Sequence, residues 1–282
     1  MLLLAPVGPV RGQPIPDLSE IDEEEWTPLF NGRNLEGWTP KITGYAPGVN
    51  KGRTFRVEDG MLSVRYDAYD RFDGQFGHLV SDTTFSYYVV RAEYRFLGEQ
   101  APGGPGWAVQ NSGVMIHSQS AATMTRNQNF PISIEVQLLG AAGQEERSTA
   151  NLCTPGTHVV MDGTLTTTHC IRSNSATYPG NEWVRVEAVV LGDSLVQHRV
   201  NGNPVLQYTS PQIGGGNVSH ADPKIKQDGT LLTEGHIALQ SESHPIQFRT
   251  VEVLNLKGCT DPEASNYEAY YVKSAPSSCR YE

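Results

Sequence analysis

The chain has no run of lysines and arginines. Its 21 basic residues are scattered among 31 acidic ones, for a formal charge of −10 over 282 residues. A polyanion or an anionic membrane surface needs a concentrated positive footprint, so the sequence argues against a nucleic-acid partner. Long apolar runs are absent as well. The apolar N-terminus, residues 1–10, is too short to span a bilayer and lacks a basic flank, which leaves a signal-peptide remnant or an unordered leader as equal readings. No segment keeps a 3.6-residue apolar period long enough for a substantial helix. Cysteine is scarce, at four, and none lies in C-x-x-C spacing. With no His-Glu-x-x-His string either, the sequence indicates no transition-metal site, and no cofactor is certain. A divalent cation such as calcium, held by backbone and carboxylate oxygens, stays open.

What the chain has is glycine (28), proline (18) and short bursts of β-formers. Residues 54–64 alternate around the Asp59-Gly60 turn, and residues 85–96 alternate cleanly. Further strand patterns cover residues 111–117, 182–191, 195–200, 204–208, 236–240 and 246–256. Many short strands with frequent turns predict an all-β, two-sheet antiparallel sandwich or jelly roll. A Pro- and acid-rich leader over 1–25, a main domain over 26–257 and a tail over 258–282 are expected. The polar stretch from about 140 to 181 is long for a connection in a compact domain, and such loops are usually functional.

The most telling strand is Pro131-Ile-Ser-Ile-Glu-Val-Gln-Leu-Leu-Gly140. Residues two apart share a face, so Glu135 and Gln137 point one way and Ile134, Val136 and Leu138 the other. A carboxylate beside an amide on a rigid strand builds a polar cleft, unless the face is ordinary solvated surface. Four cysteines allow three pairings. Local bridges, Cys153 with Cys170 and Cys259 with Cys279, are the simplest, and they imply a secreted, periplasmic or cell-surface location.

Several motifs in order resemble one family. They are Leu29-Phe-Asn-Gly-Arg-Asn-Leu-Glu-Gly-Trp38, Phe55-Arg-Val-Glu-Asp-Gly-Met-Leu62, Asn111-Ser-Gly113, Glu135-Val-Gln137, Glu182-Trp183, His198-Arg-Val-Asn-Gly202, Gly235-His-Ile-Ala-Leu-Gln240 and the run 248–256. Together they are similar to the 3-keto-disaccharide hydrolase domain family, over about residues 26–256. The resemblance implies a concanavalin/laminarinase-like jelly roll, usually exported, that binds a saccharide or glycoside. Members with known activity act on glycosides whose ring has been oxidised at C3. The segment from Gly258 to Cys279 resembles a short Cys-bounded motif at the C-termini of exported bacterial proteins.

Laminarinase-type enzymes carry Glu-x-Asp-x-x-Glu on one strand; here the strand reads Glu135-Val-Gln-Leu-Leu-Gly140, without the partner acids. A plain two-carboxylate glycosidase is therefore not expected. A C3 ketone acidifies the C2 proton, so a single base suffices, and Glu135 is the candidate, as base or cation ligand. His117 and Arg249 are catalytic candidates for electrophilic help, and Arg172 shares that role or binds sugar. Asn111, Gln137 and Gln240 are expected to hold hydroxyls, Trp107 to stack on a sugar face, and Glu242 and His244 to rim the cleft. The rival readings are a non-catalytic carbohydrate-binding domain and a structural surface protein that self-assembles through leader or tail.

Overall fold

The computed structural model describes residues 15–143 and 146–281. The two readings of residues 1–10 lie outside the described residues. Alternating patterns and turn residues build strands, and the helical turns among the described residues are six three-residue 3-10 segments. Two large antiparallel sheets face each other as a jelly-roll sandwich. The seven-stranded sheet runs, in spatial order, Cys170–Ile171, Asn151–Cys153, Ile134–Leu139, Asn111–Ser118, Gly235–Ser241, Gly77–Phe85 and Trp38–Ile42. Its centre pairs strands far apart in sequence, so the chain crosses repeatedly between the sheets. The ten-stranded sheet is built around Tyr87–Phe96, flanked by Val184–Leu191 and Ile246–Asn255.

Period-two alternation fills the space between the sheets. Val114, Ile116, Ile134, Val136, Leu138 and Leu239 meet Val90, Ala92, Tyr94, Val186, Ala188 and Phe248 in one core. Side chains of the opposite parity on the ten-stranded sheet point outward, where they form a lattice of charge. Arg91 faces both Glu252 and Glu187 in register, and Glu93 faces Arg185.

The leader and the tail close over part of that outer face. Trp26 packs with Val89, Val189, Leu191, Leu254 and Leu256, joined by Leu18, Ile21, Tyr270 and Val272, in a second small core. The Arg91 guanidinium lies 3.9 Å over the Trp26 ring and pairs with Glu23 and Glu252. Tyr270 Oη donates to Glu25 at 2.7 Å, so the two ends touch. Disulfides join Cys153 to Cys170 and Cys259 to Cys279.

In this second core Trp26, at the start of the main domain, holds leader and tail against the outer face. Trp26→Ala should cost about 3 kcal/mol, as truncation of a buried aromatic does. In a domain of this size that lowers the thermal midpoint by roughly 6–12 °C. An unchanged melting curve would show that the second core adds no stability.

Candidate active site

On Ile134–Leu139 the even positions enter the core, and Glu135, Gln137 and Leu139 face a cavity of about 500 Å³. Cross-strand neighbours add to this face. Glu135 stands opposite Met115 and Cys153, and Gln137 opposite Gly113 and Asn151. The Asn151 amide donates to Gln137 Oε1 at 3.0 Å, which fixes the orientation of Gln137. Gly113 is there for space. A Cβ at this position would lie 2.8 Å from Glu135 Cγ and 2.9 Å from its Oε1. The bare backbone lets the Glu135 side chain lie across the neighbouring strand.

A second carboxyl enters from the turn after Gly235–Ser241. Ser243 adopts a left-handed backbone (φ 87°), its N–H donates to Tyr66 Oη at 2.8 Å, and its carbonyl accepts from Ala101 N–H at 2.8 Å. This pinned turn delivers Glu242 to the cavity wall, 3% exposed, with Oε2 lacking a partner among the described residues. Both acids are held above the usual carboxylate range. Burial pushes Glu135 up to about 8, with the Gln240 amide acting in the opposite sense. Burial pushes Glu242 well up, and the charge of Glu135 adds to it. The Gln240 carboxamide lies beside Glu135 yet closes no full hydrogen bond among the described residues.

The rest of the wall is mixed. Trp107 is 56% exposed and stacks on Phe76 at 5.8 Å, and Phe130 packs against the same ring at 4.9 Å. Trp107 and Phe130 thus offer apolar faces to the cavity beside polar Asn111, Asn129 and Asn217. Asn111 Oδ1 is buried and has no hydrogen-bond partner among the described residues. The Cys153–Cys170 bridge and His169 form another side. These three residues are the one grouping of ligand-type side chains among the described residues, and both sulfurs are spent in the disulfide. They do not make a metal site. Arg147 completes the lining, anchored through Nη1 to the Val109 and Gly140 carbonyls at 2.9 and 2.8 Å.

The structure brings together Glu135, Gln137, Asn111, Trp107 and Glu242 on this cavity, with Gln240 fully buried behind Glu135. His244 is buried edge-on against Phe96 at 5.6 Å, off the lining, and burial pushes it down to about 4. The other candidates lie elsewhere. His117 takes a left-handed backbone (φ 49°) at the strand end, and its Nε2 reaches the Gly192 carbonyl at 3.1 Å, toward the opposite sheet. Arg249 is on the outer face of the ten-stranded sheet, 2.5 Å from Glu93 and stacked over Trp183. Arg172 is exposed beyond Ile171 and does not line the cavity. Arg147, Asn129, Phe130 and Asn217 also line the cavity, and no motif marks them in the sequence. Their positions in loops carry no period, and only the length of the 140–181 connection pointed toward Arg147.

The family profile for the 3-keto-alpha-glucoside-1,2-lyase-like domain matches residues 25–254. The chain belongs to that family. Among solved structures, this lyase-like domain is similar to a "putative glycosyl hydrolase" from Parabacteroides distasonis, at 19% identity and TM-score 0.50, covering 83% of this chain and 97% of that one. A β-glucanase from Bacillus licheniformis matches at 10% identity and TM-score 0.47, covering 81% and 96%. A carbohydrate-binding module from Bacillus subtilis matches at 12% and 0.44, covering 78% and 96%. These likenesses concern the fold alone. No curated protein matches the sequence.

Two outcomes follow from the geometry. Gly113→Ala should displace the Glu135 side chain while the fold survives; a crystal structure of the variant with Glu135 unmoved would show that the close approach is dispensable. The buried acids also set a pH dependence of stability. Each holds its proton more tightly folded than unfolded, so their contribution is complete below the ordinary carboxyl pKa of about 4.3 and is lost as pH rises toward the folded value of about 8 for Glu135. Glu242→Gln should flatten the decline in thermal midpoint between about pH 5 and about pH 8. An unaltered slope would mean that Glu242 is not held neutral by the fold.

Proposed function

We propose that this carbohydrate-active, glycosyl-hydrolase-like domain is an exported enzyme that cleaves 3-keto-glycosides by elimination followed by hydration. Membership of the lyase-like family supports the substrate class, and the two disulfides support export. The observation that carries the chemistry is the pair of buried carboxyls in one cavity with unequal surroundings. Two such groups cannot both ionise cheaply, so one proton stays on the pair. Glu135 has an amide beside it that favours the charged form, whereas Glu242 meets the charge of Glu135. Glu135 is therefore the base and Glu242 the acid.

The sequence of steps follows. Glu135 takes the C2 proton made acidic by the C3 ketone, and the electron pair moves through C2–C3 onto the C3 oxygen. The pair then returns, C1=C2 forms, and the C1–O bond breaks while Glu242 gives its proton to the departing oxygen. Water adds across C1=C2, placing hydroxyl at C1 and hydrogen at C2, and the free 3-keto sugar leaves. Trp107 and Phe130 present ring faces to the sugar, and Asn111 and Gln137 present hydrogen-bonding groups.

A second reading rests on the same pair. Two carboxyls flanking a cavity also suit direct hydrolysis of an unoxidised glycoside. Matched 4-nitrophenyl glucosides, plain and 3-keto, separate the readings. The proposal expects release only from the 3-keto substrate, with Glu135→Gln lowering it by about 10²–10⁴. Glu242→Gln should hurt alkyl glycosides far more than nitrophenyl ones, because a good leaving group needs no acid. Both limbs of the pH profile belong to the pair: activity rises as Glu135 ionises, above the usual carboxylate range, and falls as Glu242 loses its proton. Equal cleavage of the plain glucoside would favour direct hydrolysis. Binding of the 3-keto sugar with no turnover would leave a carbohydrate-binding domain.

A further inference from the structure

Elimination through C2 puts negative charge on the C3 oxygen, and nothing assigned so far receives it. The cations suggested by sequence do not reach the cavity: Arg249 is held by Glu93, and Arg172 is exposed to solvent. Lys41, on the same sheet face as Glu135, is 1% exposed, and its ammonium is taken by the Ile42 and Arg126 carbonyls at 3.2 Å each. Burial holds His169 on the neutral side.

Arg147 differs from all of these. It lines the cavity together with Glu135 and Glu242. One terminal nitrogen is fixed by two backbone carbonyls at the ends of the central strands, where Asn111 faces Leu139 in register. Its Nε and other terminal nitrogen donate to no group among the described residues, and no carboxylate there lies within ion-pair distance. A half-buried guanidinium with no counter-ion among the described residues is well suited to receive an anion. When the two acids share their remaining proton, Arg147 is the one fixed positive centre among the described lining residues, anchored by backbone before the substrate binds. Preorganised donors of this kind are most effective against charge that develops during reaction.

We infer that Arg147 is the electrophilic catalytic residue of this site, donating from its free N–H groups to the C3 oxygen as it becomes an enolate. The inference rests on the proposed elimination. The proton leaves C2 for Glu135, the C2–H electron pair becomes the C2=C3 bond, and the carbonyl π pair settles on the oxygen that Arg147 faces. No further reactant is required. Because the charge exists only after proton removal, the contact strengthens in the transition state and acts on kcat more than on KM.

The test uses the full chain and two readouts. Exchange of C2 hydrogen for deuterium in the 3-keto derivative of 1,5-anhydroglucitol, which has no glycosidic leaving group at C1, reads enolate formation. Release of nitrophenol from the 3-keto-glucoside reads the whole reaction. Arg147→Gln should slow both by about 10²–10³ through kcat, the usual loss for one oxyanion donor. Arg147→Lys should recover part of the rate, and added guanidinium should restore Arg147→Ala, which also guards against a variant that is merely misfolded. Full exchange and full kcat in Arg147→Gln, or a loss confined to KM, would overturn the assignment while the elimination stands. A wild-type protein that neither exchanges nor cleaves would overturn the elimination, and this role of Arg147 with it.

Discussion

Two carboxyls are buried against one cavity, and most of the site follows from the cost of keeping them there. An isolated ionised acid loses several kcal/mol of hydration on burial, and two adjacent charges repel besides. The protein resolves the conflict by inequality. Glu135 rests over the bare backbone of Gly113 with an amide at its side, and Glu242 hangs from a left-handed turn with one oxygen unpartnered among the described residues. One acid is thereby suited to lose a proton and the other to keep it.

The sandwich supplies the rigidity this needs. Glu135 sits on a strand paired on both sides within the seven-stranded sheet, and its alternate residues are locked in the core. Glu242 is set by Tyr66 and Ala101, whose contacts hold the turn. The leader and tail close over the far face of the other sheet, so they brace the domain without entering the cavity.

The strand bearing Glu135 was legible because a period of two leaves little choice about which side chains share a face. The fold class was legible for the same reason, multiplied over many strands. Glu242 reads as a residue at the cleft rim, but its pairing with Glu135 is hidden in the sequence, since the familiar arrangement puts both acids on one strand and here a turn brings the second. His117 reads by parity as a neighbour of Asn111 and Gly113, yet its left-handed backbone sends the ring to Gly192. Arg249 reads as a strand cation, but alternation does not reveal which sheet or which outer face a strand joins. Arg147 lies in a connection with no period at all, and only assembly of the fold brings it to the cavity.

The account depends on one proton being shared unequally by Glu135 and Glu242. Carbon-13 NMR of carboxyl-labelled glutamate, with Glu135→Gln and Glu242→Gln for assignment, measures this directly. The account predicts two separated titrations, both above the ordinary carboxylate range, with the lower lost in Glu135→Gln and the upper moving down when Glu135 carries no charge. Two independent titrations near the ordinary value of about 4.3 would contradict it.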